Sequence, residues 1–209
     1  MHAYATEATG RRAVPVYLAV AAIVLALALS ATLDRLDLTV PWWLDAPAVI
    51  GFYGILYRFY DQTAWRWRVG PLRLSDVPYV GGTWVGEVCS THEPEIVHVA
   101  QLRIRQTWTA IEIEFVGERS GSCSTMATVN PSNGTGCHLL YEYLSEPRSL
   151  APESMAIHRG VALLRLRDDG ELEGDYYTGR GRHTHGSMRF RRGAVPPALD
   201  APPAPAVAG

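Results

Sequence analysis

AIEIEFVG, residues 110–117, decides how this chain is read. Ile111, Ile113 and Phe115 fall on one parity, Glu112 and Glu114 on the other. That period of two belongs to a strand with one buried and one wet face. The neighbouring stretches repeat it. VAQLRIRQ (99–106) sets Leu102 and Ile104 against Arg103 and Arg105, and GTWVGEV (82–88) sets Trp84 and Val88 against Glu87. SCSTMAT (122–128) and HLLYEYL (138–144) follow, with the turn residues NPSNGTG between them. AIHRGVALLRLR (156–167) alternates His158, Ala162, Leu164 and Leu166 with Arg159, Arg165 and Arg167; LEGDYYTGR and GSMRFRR complete the set.

These stretches predict eight half-buried strands in sequence order, with no amphipathic helix of useful length between them. An open antiparallel sheet of that size exposes two edges, which closure into an up-and-down barrel removes. A flat or sandwiched sheet is the alternative, because alternation does not report closure. An eight-stranded barrel has room inside for side chains or one small ligand.

Ahead of the strands the texture is different. Residues 13–33, AVPVYLAVAAIVLALALSATL, carry no charge and are long enough to cross a hydrocarbon core. TVPWWLDAPAVIGFYGILYRFY (39–60) is a weaker second segment, with Trp42, Trp43, Tyr57 and Tyr60 placed as interfacial anchors and Arg58 able to snorkel. Together they predict a two-helix transmembrane hairpin. Arg11 and Arg12 precede it and Arg58, Arg66 and Arg68 follow, so the positive-inside bias puts both chain ends on the cytoplasmic side. A cleaved signal peptide is the competing reading, but it leaves the second segment unexplained.

The expected organisation is a cytoplasmic N-terminus over 1–12, the hairpin over 13–60, a linker over 61–80, the β-barrel over 81–192 and a disordered Ala/Pro-rich tail over 193–209. A formal net charge of −2 gives no global field for DNA or RNA, so no direct nucleic-acid binding is expected. All 19 basic residues are arginine. The 3 cysteines are an odd count, which argues against a disulfide framework and for a reducing compartment.

No phosphate-cradling glycine loop, nucleophile elbow or paired-cysteine metal motif is present, so neither catalytic residues nor a metal site nor a cofactor is predicted. The inward parity of two strands is nevertheless polar at one end. With Glu173 and Asp175 outside, Leu172, Gly174, Tyr176, Thr178 and Arg180 face in; with Glu142 outside, Leu139, Tyr141 and Tyr143 face in. His158 shares that face, and Arg182 lies on the following turn. The candidate ligand site is therefore Tyr141, Tyr143, His158, Tyr176, Thr178, Arg180 and Arg182. Stackable rings beside arginine suit a flat anionic ligand, since bases stack on tyrosine and guanidinium forks onto phosphate.

In order and architecture the chain resembles the two-transmembrane, β-strand-rich (SMODS-associated) effectors of CBASS antiphage operons. The resemblance covers about residues 10–192. Its carriers are the N-terminal hairpin, GTWVGEV, LLYEYLSEP, IHRGVALLRL and LEGDYYTGR…HGSMRFRR. GTW is also similar to the opening of lipocalin-type barrels. The effector resemblance implies a cytosolic barrel in the inner membrane's service. It would bind a cyclic di- or oligonucleotide made by a CD-NTase-type nucleotidyltransferase, self-associate and disrupt the lipid bilayer. Two rivals remain: a membrane-tethered lipocalin-like protein for an apolar small ligand, and a β-barrel enzyme.

Overall fold

The computed structural model describes residues 1–8, 10–37, 45–131, 137–147, 157–179 and 184–193. The chain divides into two units: residues 8–76, and a second made of residues 1–7 with residues 77–209.

The first unit is helical. Helix α1 spans Gly10–Arg35, and its most apolar 18-residue stretch has a mean hydropathy of 2.5. At 1.5 Å per residue its 26 residues reach about 39 Å, enough to cross a bilayer core. Helix α2, Asp45–Gln62, packs against α1. Among the described residues α1 is the one helix long and apolar enough to span by length and composition; of the second predicted span, 39–60, residues 39–44 lie outside the described residues and the rest falls in α2. A 3₁₀ turn, Ala64–Arg66, buries Trp65, and a short ribbon of Arg68–Val69 with Leu72–Arg73 ends the unit.

The second unit is the barrel. Numbering strands in chain order, β1 is His2–Ala3, and the ribbon just named supplies β2 and β3. The barrel strands are β4 (Gly82–Ser90), β5 (Glu93–Gln106), β6 (Ala110–Gly117) and β7 (Ser120–Asn130). They continue as β8 (Cys137–Pro147), β9 (His158–Leu166), β10 (Leu172–Thr178) and β11 (His185–Arg192). Every sequential pair is antiparallel, and β11 pairs β4 from Gly186↔Ser90 to Arg192↔Trp84. The ring of eight is closed, which settles the flat-sheet alternative.

Burial follows the alternation. Trp84, Leu102, Ile111, Leu139, Leu164, Leu172 and Phe190 are completely buried. The opposite parity carries cross-strand ion pairs: Arg103 faces Glu114, and Arg105 lies 2.6 Å from Glu112. Opposed charges at directly facing positions keep this surface wet while contributing a few tenths of a kcal/mol each.

The seam between β6 and β7 is short. It holds three register pairs, Glu114↔Cys123, Phe115↔Ser122 and Val116↔Gly121. A bulge between Ser124 and Met126 then bends β7 away, and the Ser124 hydroxyl takes the Ile113 N–H at 3.0 Å in place of the next backbone partner. Residues 2–7 fill the resulting wedge. His2 and Ala3 pair with Ile111 and Ala110, and Ala5 bridges Thr128. Sequence reasoning assigned residues 1–12 no part in the sheet; a two-residue strand is too short to show a period.

Candidate functional site

Most barrel strands change character along the inward row. At one end the interior is closed by Trp84, Ile104, Ile111, Leu139, Leu164 and Leu172. At that same end Val80 N–H donates to Gln106 Oε1 at 2.8 Å, and Trp84 Nε1–H donates to the Val80 carbonyl at 2.9 Å. Toward the other end the rows turn polar and leave a cavity of about 400 Å³. That volume lies within the usual range for small-molecule sites.

Five of the seven sequence-predicted residues line this cavity: Tyr141, Tyr143, His158, Tyr176 and Thr178. Arg180 and Arg182 lie outside the described residues. The chain places them between Thr178 and Thr184, both of which line the cavity. Those two threonines bond to each other: Thr178 N–H donates to the Thr184 carbonyl at 2.9 Å, and Thr184 N–H donates to Thr178 Oγ1 at 2.9 Å.

The tyrosine geometry is set by glycines on facing strands. Tyr143 is registered against Gly160, and Tyr176 against Gly186. A Cβ at Gly160 would run into the Tyr143 ring, and one at Gly186 would meet both the Tyr176 ring and the Cys89 carbonyl. Each ring therefore lies across a bare stretch of backbone. Tyr141 and Tyr143 form a tilted pair, centroids 6.1 Å apart at 52°. Burial, with Tyr143 adding, pushes the Tyr141 phenol up. It stays neutral through the physiological range and offers an O–H donor.

The polar end holds groups that alternation did not flag. Arg119, in the turn from β6 to β7, donates from Nη1 to both Glu93 oxygens, at 3.3 and 3.0 Å. Glu93 also faces His98 Nε2 at 3.4 Å. All three line the cavity, as do Ser122 and Ser145, buried on β7 and β8. Among the described lining residues Arg119 is the one arginine, against the carboxylates of Glu93 and Glu118. Arg119 was missed because a charged turn residue reads as solvated; only its position beside a polar inward row marks it. Among the described residues no group of three or more His, Cys, Asp or Glu is arranged to hold a metal ion.

A closed barrel with an aromatic, polar-ended cavity, joined to a helix of membrane length, has the build of a membrane-anchored small-ligand receptor. Residues 75–192 match the family described as Cap15, cyclic dinucleotide receptor domain, and residues 12–66 match Cap15, TM helices. The chain is 32% identical over 143 residues to CD-NTase-associated protein 15 of Yersinia aleksiciae, covering 68% of each chain. The chain belongs to the Cap15 family of CBASS-associated proteins, with a transmembrane region followed by the family's cyclic dinucleotide receptor domain.

Proposed function

We propose that this protein is a membrane effector whose barrel binds a cyclic dinucleotide in the cavity between Tyr141, Tyr143 and Tyr176. The observation that carries the reading is the one-ended polarity of the interior. Rings that stack on bases line it beside hydroxyls and one arginine, in a domain of the cyclic dinucleotide receptor family. An apolar-ligand carrier has no use for Glu93, His98, Ser122 and Ser145 around the same space. The protein acts as a receptor and not as an enzyme; its ligand is supplied by a partner nucleotidyltransferase.

Arg119 is the phosphate-binding cation of this site, and Glu93 is the carboxylate that positions it. A phosphodiester carries one negative charge and fits a guanidinium fork as a carboxylate does.

The membrane region is a two-span hairpin with both chain ends cytoplasmic. The chain leaves the barrel after Glu7 and rejoins it at Val77, and residues on both sides of that excursion are anchored at the closed end. Glu7 N–H donates to Asn130 Oδ1 at 3.1 Å, and Gln106 Nε2–H donates to the Pro78 carbonyl at 3.0 Å. A segment that starts and ends on one barrel crosses a bilayer an even number of times. That supports α2 as the returning span, as does the family match over 12–66. Ligand binding then drives association of barrels, and the clustered hairpins breach the inner membrane. An exposed apolar row across β8–β10, in which Leu140 faces Leu163 and Val161 faces Tyr177, supports self-association.

The test is titration of the full-length protein in detergent micelles with cyclic di-AMP and cyclic di-GMP, followed by dye release from vesicles holding it. Saturable binding with ligand-dependent release is expected. Binding without release leaves the receptor and removes the effector.

A further inference from the structure

The wedge filled by residues 2–7 adjoins the wall of the cavity. Phe115↔Ser122 is both a seam pair and part of the cavity lining, and Gly117 and Ser120 flank it. Two residues beyond Ser122, the Ser124 hydroxyl accepts from Ile113 N–H and lies 2.8 Å from His2 Nε2. A single side chain thus ends the seam and holds the arm.

The arm is well seated. Tyr4 is 3% exposed, and its hydroxyl donates to the Trp108 carbonyl at 3.0 Å. Ala5 N–H donates to the Ala127 carbonyl at 3.1 Å, and Val129 N–H donates to the Ala5 carbonyl at 3.0 Å. These partners matter because they are limited. His2 and Ala3 take the β6 edge at Ala110 and Ile111, and Ala5 takes the β7 edge at Thr128. Those are the edges that β6 and β7 would offer each other if the seam continued to zip. Backbone groups have fixed hydrogen-bonding capacity, so arm docking and seam zipping exclude each other.

We propose that residues 2–7 are a self-supplied strand that competes with zipping of the β6–β7 seam, and that cavity occupancy decides the competition. A ligand resting on the Phe115–Ser122 pair draws β6 and β7 together, extends the seam and releases the arm. The arm runs into α1 after two residues, so its release reaches the first membrane helix through the chain itself. By linkage, whatever the ligand does to the arm, the arm does to the ligand's affinity. This rests on the receptor reading above.

The experiment uses the full-length protein in detergent micelles, with a His2→Cys/Ser124→Cys pair in a Cys123→Ser background. Cyclic di-AMP and cyclic di-GMP are the probes. Oxidation staples the arm into the wedge; reduction of the same sample frees it and serves as its own folding control. Stapling is expected to weaken binding at least fivefold relative to the reduced form, and Tyr4→Ala to tighten it at least threefold. Hydrogen exchange at residues 2–5 of the wild type should speed up when ligand saturates. Affinities within twofold between stapled and reduced forms, or unchanged exchange at residues 2–5, overturn the competition while leaving the receptor intact. Absence of binding by the wild type to either probe overturns the receptor reading and this inference with it.

Discussion

Replacing Glu93 by glutamine is expected to improve ligand affinity, an unusual outcome for truncating a charge inside a binding site. In the structure Glu93 occupies Arg119 at 3.0 Å. A phosphate that takes this place leaves the displaced carboxylate close by. At a separation of about 6 Å, two unit charges repel by about 2.8 kcal/mol at an effective dielectric near 20 and about 0.7 kcal/mol in bulk water. The Glu93 side chain is 33% exposed, which places the repulsion toward the screened end. A gain of about 1 kcal/mol, roughly fivefold in Kd, follows for Glu93→Gln. The amide keeps the size and one acceptor oxygen, so Arg119 is not abandoned. Arg119→Ala is the counterpart: loss of a charge-assisted contact to phosphate costs about 1.5–3 kcal/mol, ten- to a hundredfold. Calorimetric titration of the two variants beside wild type, at low and high salt, reads both numbers. The Glu93→Gln gain should shrink at high salt. If Glu93→Gln weakens binding as much as Arg119→Ala, the carboxylate itself contacts the ligand and the exchange of partners on Arg119 is wrong.

Tyr176→Ala should cost about 1–3 kcal/mol of binding through lost stacking, whereas Arg165→Ala, exposed on the outer parity, should leave the same titration unchanged. Reporters fused ahead of residue 1 and after Arg192 should both read cytoplasmic and one placed near Asp37 periplasmic; a periplasmic C-terminal reporter removes the hairpin. A barrel fragment from Val77 to Arg192 lacks the arm, and joining residues 1–8 to it through a Gly/Ser linker should raise its unfolding free energy by about 3 kcal/mol, the scale of refilling an aromatic slot. Equal denaturant midpoints for the two fragments would mean that the arm contributes nothing. Burial pushes the Cys137 thiol up to about 12, so at pH 8 only about one in 10⁴ of it is thiolate. Maleimide should label the exposed Cys123 in the folded protein and reach Cys137 only after denaturation, as intact mass will show.

Much of the barrel was legible because its physics is local. AIEIEFVG and its neighbours carry their inside and outside on alternate residues, and the burial of Ile111, Ile113, Tyr141 and Tyr176 follows that parity. The same rule led to five residues that line the cavity, since a polar side chain on an inward row has little to point at except a ligand or water. Closure was not legible: the pairing of β11 with β4 joins residues about a hundred positions apart and leaves no trace in either strand. Arg119 was hidden by its turn, where charge is the default. The arm was hidden more deeply. Its hold depends on a gap opened by the bulge at Ser124 and Met126, and nothing in residues 2–7 announces a gap elsewhere.

The seating of those residues also orders the birth of the protein. His2 to Ala5 are made before both helices, but their seats at Ala110, Ile111 and Thr128 are made long after. A nascent chain therefore carries the arm unseated until β6 and β7 have been made, and the last barrel gap is filled by residues made ahead of the strands around it. Until the arm docks, the edges of β6 and β7 beside the wedge stand unpaired, an opening that quality-control proteases can grip.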